Sequence, residues 1–242
     1  MFILPINKDN PVKNIPWVVL VLIVMNTLAL IATYLAPSFE LVFSRYGFIP
    51  EQHRAVTVFT SMFLHAGIWH LVGNMWFLWM FGNRVENMFG RWLFFPVYLV
   101  CGLGATALHY LLNIGSSIPC VGASGAISGI VGIFFILFPK ANFDLCIYVG
   151  WWQIKEIPAH TKAAVGAWIG EQAVLGLLTQ AIHVSSIAFW AHIGGFATGI
   201  VIAILFKAFV PAERRRLAER AKPWHMQGDF NRDDEHIIQL KL

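Results

Sequence analysis

From Ile15 to Phe39 the chain carries no charged side chain. A helix of about 20 apolar residues, rising about 1.5 Å per residue, crosses the hydrocarbon of a bilayer. Comparable stretches follow at residues 69–83, 92–113, 124–138, 159–180 and 188–208. A bilayer offers no water to backbone N–H and C=O groups, so isolated spanning segments of this kind must be helical. The expected fold is therefore an all-α polytopic membrane protein, a bundle of six transmembrane helices. Composition agrees: of 242 residues, 57% are hydrophobic and 12% are charged, against about 25% charged in soluble domains. The first stretch is longer than a signal-peptide core, and Pro37 follows Ala36 where cleavage would need a permissive residue, so it is read as a retained helix.

Charge decides the arrangement. A net charge of +4 suggests nucleic acid at first sight, but the basic residues cluster between and after the apolar stretches, so no nucleic-acid partner is expected. Six spans put both termini on one side. Only Arg45 and Arg54 then fall on the opposite side, in the long apolar connection 38–68. Lys8, Lys13, Arg84, Arg91, Lys140, Lys155, Lys162 and the basic tail share the terminal side. That asymmetry makes both termini cytoplasmic. Residues 1–210 are read as the membrane domain and 211–242 as a charged, solvated cytoplasmic tail. The connection 141–158, with Asp144, Lys155 and Glu156 among apolar residues, fits neither class. Cys101, Cys120 and Cys146 have no ligand spacing and are read as free thiols.

The alternation of direction has a chemical consequence. The second, fourth and sixth helices all descend from the outer face, which brings their first turns to one depth. His70 and Asn74, Ser124, and His192 lie in those turns. A serine hydroxyl needs a base to become a nucleophile, and histidine is the usual one. Ser124 and His192 are the candidate pair, and no acidic residue sits in their layer, so a dyad is expected. His70 and Asn74, spaced i, i+4, project from one helix face. With the Ser124 backbone N–H they are candidate oxyanion donors. Gly122, Gly125 and Gly129 line the fourth helix and Gly195 and Gly199 the sixth, as helix-packing residues; Gly125-x3-Gly129 and Gly195-x3-Gly199 are small-x3-small patterns that let two helices approach closely. His65 and His70 lack a His-Glu-x2-His pattern, so no metal and no cofactor are expected. Glu171, midway along the fifth helix, has no assigned role.

These residues resemble the rhomboid intramembrane serine proteases. The matching motifs are His65-Ala66-Gly67-Ile68-Trp69-His70-Leu71-Val72-Gly73-Asn74-Met75, Gly82 with Glu86, Gly122-Ala123-Ser124-Gly125, and Ala191-His192-Ile193-Gly194-Gly195-Phe196 with Gly199. The resemblance covers residues 5–208. It implies a six-helix rhomboid-like bundle with a water-filled cavity open to the exterior. Ser124 would be the nucleophile, His192 the general base and acid, and His70, Asn74 and the Ser124 N–H the oxyanion site. It further implies transmembrane protein substrates, cut near the outer end of a helix, and a fifth helix that gates their entry. Many members carry a Trp-Arg pair in the first outer loop, where this chain has Gln52-His53-Arg54. The minimal plan suggests a bacterial inner membrane. Two other readings compete: a rhomboid-like pseudoprotease that binds transmembrane partners without cleavage, and a small transporter using histidine and Glu171. Such a pseudoprotease would lack Ser124 or His192, and the transporter reading lacks the repeated halves often seen in that class.

Overall fold

The computed structural model describes residues 2–6, 14–149, 152–181 and 188–211. Lys8, Lys13, the turn His183–Ser186 and the tail from residue 212 lie outside the described residues. After strand β1 (Phe2–Ile6) comes helix α1 (Trp17–Leu35), followed by α2 (Phe39–Tyr46), α3 (Ala55–Thr60), α4 (Ile68–Phe77), α5 (Asn83–Phe89), α6 (Arg91–Leu112) and α7 (Ser124–Leu137). Strands β2 (Asn142–Val149) and β3 (Trp152–His160) precede α8 (Thr161–Ala181) and α9 (Phe189–Phe209).

Helix α1 shows how the bundle meets its surroundings. Its buried residues, Val19, Leu22, Asn26, Leu30 and Thr33, recur every three or four positions and form one inward stripe. Val21, Val24, Leu28 and Ile31 point outward and are about half exposed. An apolar exterior of this kind suits lipid, not water. Helix α7 is the opposite case: residues Gly125 to Phe134 are all buried, because α6 lies on one side and α9 on the other. The core sits around it, with Phe94, Tyr98, Ile130, Ile133 and Phe134 fully enclosed.

Several boundaries depart from the sequence reading. The second apolar segment does not stop at residue 83 but runs from Ile68 to Phe89, through a π-helical turn at Leu78–Gly82, and breaks at Gly90, where φ is +79°. The polar Arg84–Glu86 stretch is thus helical. Both Glu86 carboxylate oxygens accept backbone N–H groups at the start of α1, from Val18 at 3.0 Å and Val19 at 2.8 Å. That carboxylate satisfies two of the orphan donors every helix start exposes. The 38–68 connection folds into α2, α3 and two 3-10 turns.

The helical bundle expected from the sequence carries one unanticipated addition, a three-stranded antiparallel sheet in the order β1-β2-β3. Phe2 pairs with Tyr148, and Asn142 with His160. The unassigned segment 141–158 supplies two of the strands. Its run Leu145-Cys146-Ile147-Tyr148-Val149 is rich in strand-forming residues. Lying between α7 and α8, it satisfies its backbone by pairing. Thr161 then ties α8 to the sheet base, its N–H and hydroxyl both donating to the Ala141 carbonyl.

Among the described residues, three helices (α1, α6 and α9) are long and apolar enough to cross a membrane. A fourth span results if Ala55–Phe63 and Ile68–Phe89, bent by 90°, count as one. Helix α7, at 14 residues, is short for a full crossing, about 21 Å against a hydrocarbon core of about 30 Å. Helix α8 is long but less apolar. The expected six is thus not reached by length and composition alone.

Candidate active site

Ser124 is the first residue of α7. The chain enters it through an extended segment clamped on both sides: Phe48 and Cys120 exchange backbone hydrogen bonds at 3.1 and 2.8 Å, and the Gly122 N–H donates to the Ser61 carbonyl at 2.9 Å. Gly122 has φ +132°, a conformation side chains rarely adopt. A Cβ there would also stand 3.0 Å from the His70 ring and 3.6 Å from the Ser124 hydroxyl. Two separate reasons therefore require glycine immediately before the Ala123-Ser124 pair.

The Ser124 Oγ lies 2.8 Å from His192 Nε2. On the far side of the ring, His192 Nδ1 lies 2.7 Å from the Gln172 Oε1. A side-chain carbonyl can only accept, so Nδ1 carries the hydrogen and donates to it. In the neutral imidazole Nε2 is then bare and accepts the Ser124 O–H. Trp168, one turn before Gln172 on α8, lies against His192 with ring centroids 6.2 Å apart.

Residues 68 apart meet because α7 and α9 touch backbone to backbone. A Cβ built on Gly195 would stand 1.9 Å from the Gly125 carbonyl oxygen, and one on Gly199 would stand 1.9 Å from that of Gly129. Gly125 and Gly129 also face α6, where Ala105 and Cys101 leave no room for a methyl group. Of the five glycines expected to pack helices, Gly125, Gly129, Gly195 and Gly199 lie in this seam, whereas Gly122 precedes α7 and packs against His70 and Ser124 instead.

His70 and Asn74 line the same cavity of about 540 Å³ as Ser124 and His192. The Ala66 N–H approaches His70 Nδ1 at 3.4 Å. That nitrogen accepts, so the neutral ring carries its hydrogen on Nε2, the atom beside Gly122. The Asn74 amide donates one hydrogen to the His70 carbonyl at 3.0 Å and retains a second. Cys120 lines the cavity too, but burial pushes its thiol up to about 12. It stays protonated and is a poor nucleophile. Among the described residues no three His, Cys, Asp or Glu side chains gather in a metal-holding group.

Ser124, His192, His70 and Asn74 thus share one cavity, with Gly125, Gly129, Gly195 and Gly199 in the seam behind it. Gln172 and Trp168 were missed. The polar residue that drew attention, Glu171, faces outward, while Gln172 beside it is buried. A polar side chain in an apolar helix was the available signal; helical phase decided which neighbour faced in.

Comparisons with known proteins follow the same lines. Rhomboid protein 1, mitochondrial, of Saccharomyces cerevisiae is 29% identical over 70% of this chain and 47% of its own length. RHOMBOID-like protein 6, mitochondrial, of Arabidopsis thaliana is 33% identical over 60% of this chain and 42% of its own. Presenilin-associated rhomboid-like protein, mitochondrial, of Bos taurus is 28% identical over 58% and 35%. The chain spans about a third to a half of the length of these relatives. Their names carry organelle compartments and lend the expected bacterial inner membrane no support. A family model described as Rhomboid domain matches residues 52–209. With its apolar exterior and long apolar helices, this chain is an integral membrane protein and belongs to the rhomboid family.

Proposed function

We propose that the chain is an intramembrane serine endopeptidase that hydrolyses a peptide bond in or beside the transmembrane segment of membrane-anchored proteins. The observation that carries the reading is the 2.8 Å contact between the Ser124 hydroxyl and a His192 nitrogen whose other ring nitrogen is already donating. In the proposed reaction His192 takes the Ser124 proton as Oγ attacks the scissile carbonyl. The resulting oxyanion is met by the Ser124 N–H at the start of α7, by His70 Nε2–H and by the free Asn74 hydrogen. His192 then returns its proton to the leaving amine, and water, activated by the same base, releases the acyl-enzyme.

A cavity in a membrane domain also explains the substrate class. A helical substrate hides its carbonyls, and unwinding it in lipid leaves backbone groups unpaired at several kcal/mol each. The polar side chains of the cavity, His70, Asn74, Asn113 and Ser116 among them, supply partners where the strand opens. Substrates bearing helix-weakening residues are expected to be cut faster than their leucine-substituted versions; equal rates would contradict this account.

We infer six spans with both termini on the same side, supported by the charge asymmetry, with residues 1–210 as the membrane domain and 211–242 as a tail. The test of function is fluorophosphonate labelling of the purified chain in detergent. Labelling is expected in the parent and absent in Ser124→Ala and His192→Ala. An unlabelled parent, across detergents and lipids, would leave the non-cleaving binder as the reading.

A further inference from the structure

Resting on the protease reading, we propose that Gln172 is a positioning residue: its carbonyl selects the His192 tautomer able to take the Ser124 proton. Soluble triads give this task to a carboxylate. Here the atom at hydrogen-bond distance from His192 Nδ1 is an amide oxygen, 2.7 Å away. Gln172 is buried, 7% exposed, so little water competes for its carbonyl. With the Gln172 oxygen turned toward the ring, as it stands, the other neutral tautomer would set a bare Nδ1 against oxygen lone pairs, an unpaired contact that burial makes costly. In that orientation the Nδ1–H form is bonded at both ends, donating to Gln172 and accepting from Ser124.

An amide orients the ring without adding charge. The groups facing His192 are Ser124 from α7, Gln172 and Trp168 from α8, His70 from α4 and His109 from α6. A carboxylate in place of the amide would hold the same tautomer and would also stabilise the imidazolium. The base would then stay protonated, and idle, to higher pH. Two substitutions therefore separate orientation from charge. Gln172→Met keeps the bulk and removes the acceptor; Gln172→Glu keeps the acceptor and adds a carboxyl group.

The experiment measures inactivation of the full chain in detergent micelles by a fluorophosphonate, resolving the limiting rate kinact from the half-saturating concentration KI across pH, with a melting curve for each variant. For Gln172→Met, kinact is expected to fall about 10- to 100-fold with KI unchanged. For Gln172→Glu, kinact at high pH should approach the parent value, while the acid limb of the profile moves up by about one pH unit or more. A folded Gln172→Met with the parent's kinact overturns the proposal. Should Gln172→Met fail to fold, a folded Gln172→Glu with the parent's pH profile overturns it equally. A parent labelled only through Ser124 keeps the protease reading in either case; a parent that never labels sinks that reading and the role of Gln172 together.

Discussion

Alanine at Gly199 tests how the two polar side chains are held together. The added Cβ would stand 1.9 Å from the Gly129 carbonyl oxygen and 2.7 Å from its carbon. Ordinary carbon–oxygen contact begins near about 3.3 Å, so the facing backbones must part by about 1.4 Å. The obstacle is backbone of α7, which cannot swing aside as a side chain would. Overpacking of this kind costs about 3 kcal/mol, and alanine returns up to about 1 kcal/mol through helix propensity. The net loss of about 2 kcal/mol should lower the melting temperature in detergent by about 4–8 °C. The larger effect falls on geometry. His192 sits two turns above Gly199, and a parting of even half that size stretches the 2.8 Å Ser124–His192 contact toward the limit of a hydrogen bond. Misplacement by about 1 Å costs on the order of a hundredfold in rate. Fluorophosphonate labelling and thermal unfolding measure the two effects. Gly170→Ala on α8 is the control, since a Cβ there meets no atom within 4 Å, and it should melt no lower than the parent. A Gly199→Ala protein that labels and melts like the parent would refute the claim that backbone contact sets the distance.

Glu86→Ala strands the Val18 and Val19 N–H groups at the start of α1 and should cost about 2–4 kcal/mol, whereas Glu86→Gln, losing one acceptor, should cost about half; paired melting curves check the ratio. Gly122→Ala should abolish labelling by driving a methyl group between His70 and the Ser124 hydroxyl, and its φ of +132° adds about 1–2 kcal/mol of strain visible as a lowered melting temperature. Ser128→Ala should label like the parent although Ser128 lines the same cavity, because its hydroxyl already donates to the Ser124 carbonyl at 2.7 Å.

The meeting of Ser124 with His192 was legible because the expected alternation of helix direction puts them at one depth and the glycine pairs mark where two helices touch. Both signals survive without knowing the phase of any helix. Gln172 was illegible for that very reason. On a soluble surface helix polar residues mark the outer face, but in an apolar segment the two faces look alike, and nothing in the pattern tells Glu171 from its neighbour. Glu86 misled in another way: a carboxylate after an apolar run reads as a turn, yet it is buried as the cap of a helix 67 residues earlier in the chain. The sheet depends on residues 2–6 finding residues 144–148, a pairing that local propensity does not encode.

Two restraints of different character therefore act on one histidine. The seam between α7 and α9 fixes where His192 stands relative to Ser124, through backbone contacts that cannot relax separately. Helix α8 fixes which nitrogen carries the proton, through the Gln172 side chain alone. Gly166 and Gly170 of α8 face open space, with nothing within 4 Å of where a Cβ would lie, so that helix is the less confined of the two supports. Loosening the seam should cost melting temperature and labelling together. Loosening α8 should cost labelling first, because a small shift breaks a 2.7 Å hydrogen bond while leaving the glycine contacts intact. Plotting melting temperature against kinact for Gly199→Ala and Gln172→Met separates the cases: the first should move along both axes, the second along one. If both variants fall on a single line, seam and α8 act as one packed unit, and the division of labour argued from the geometry is wrong.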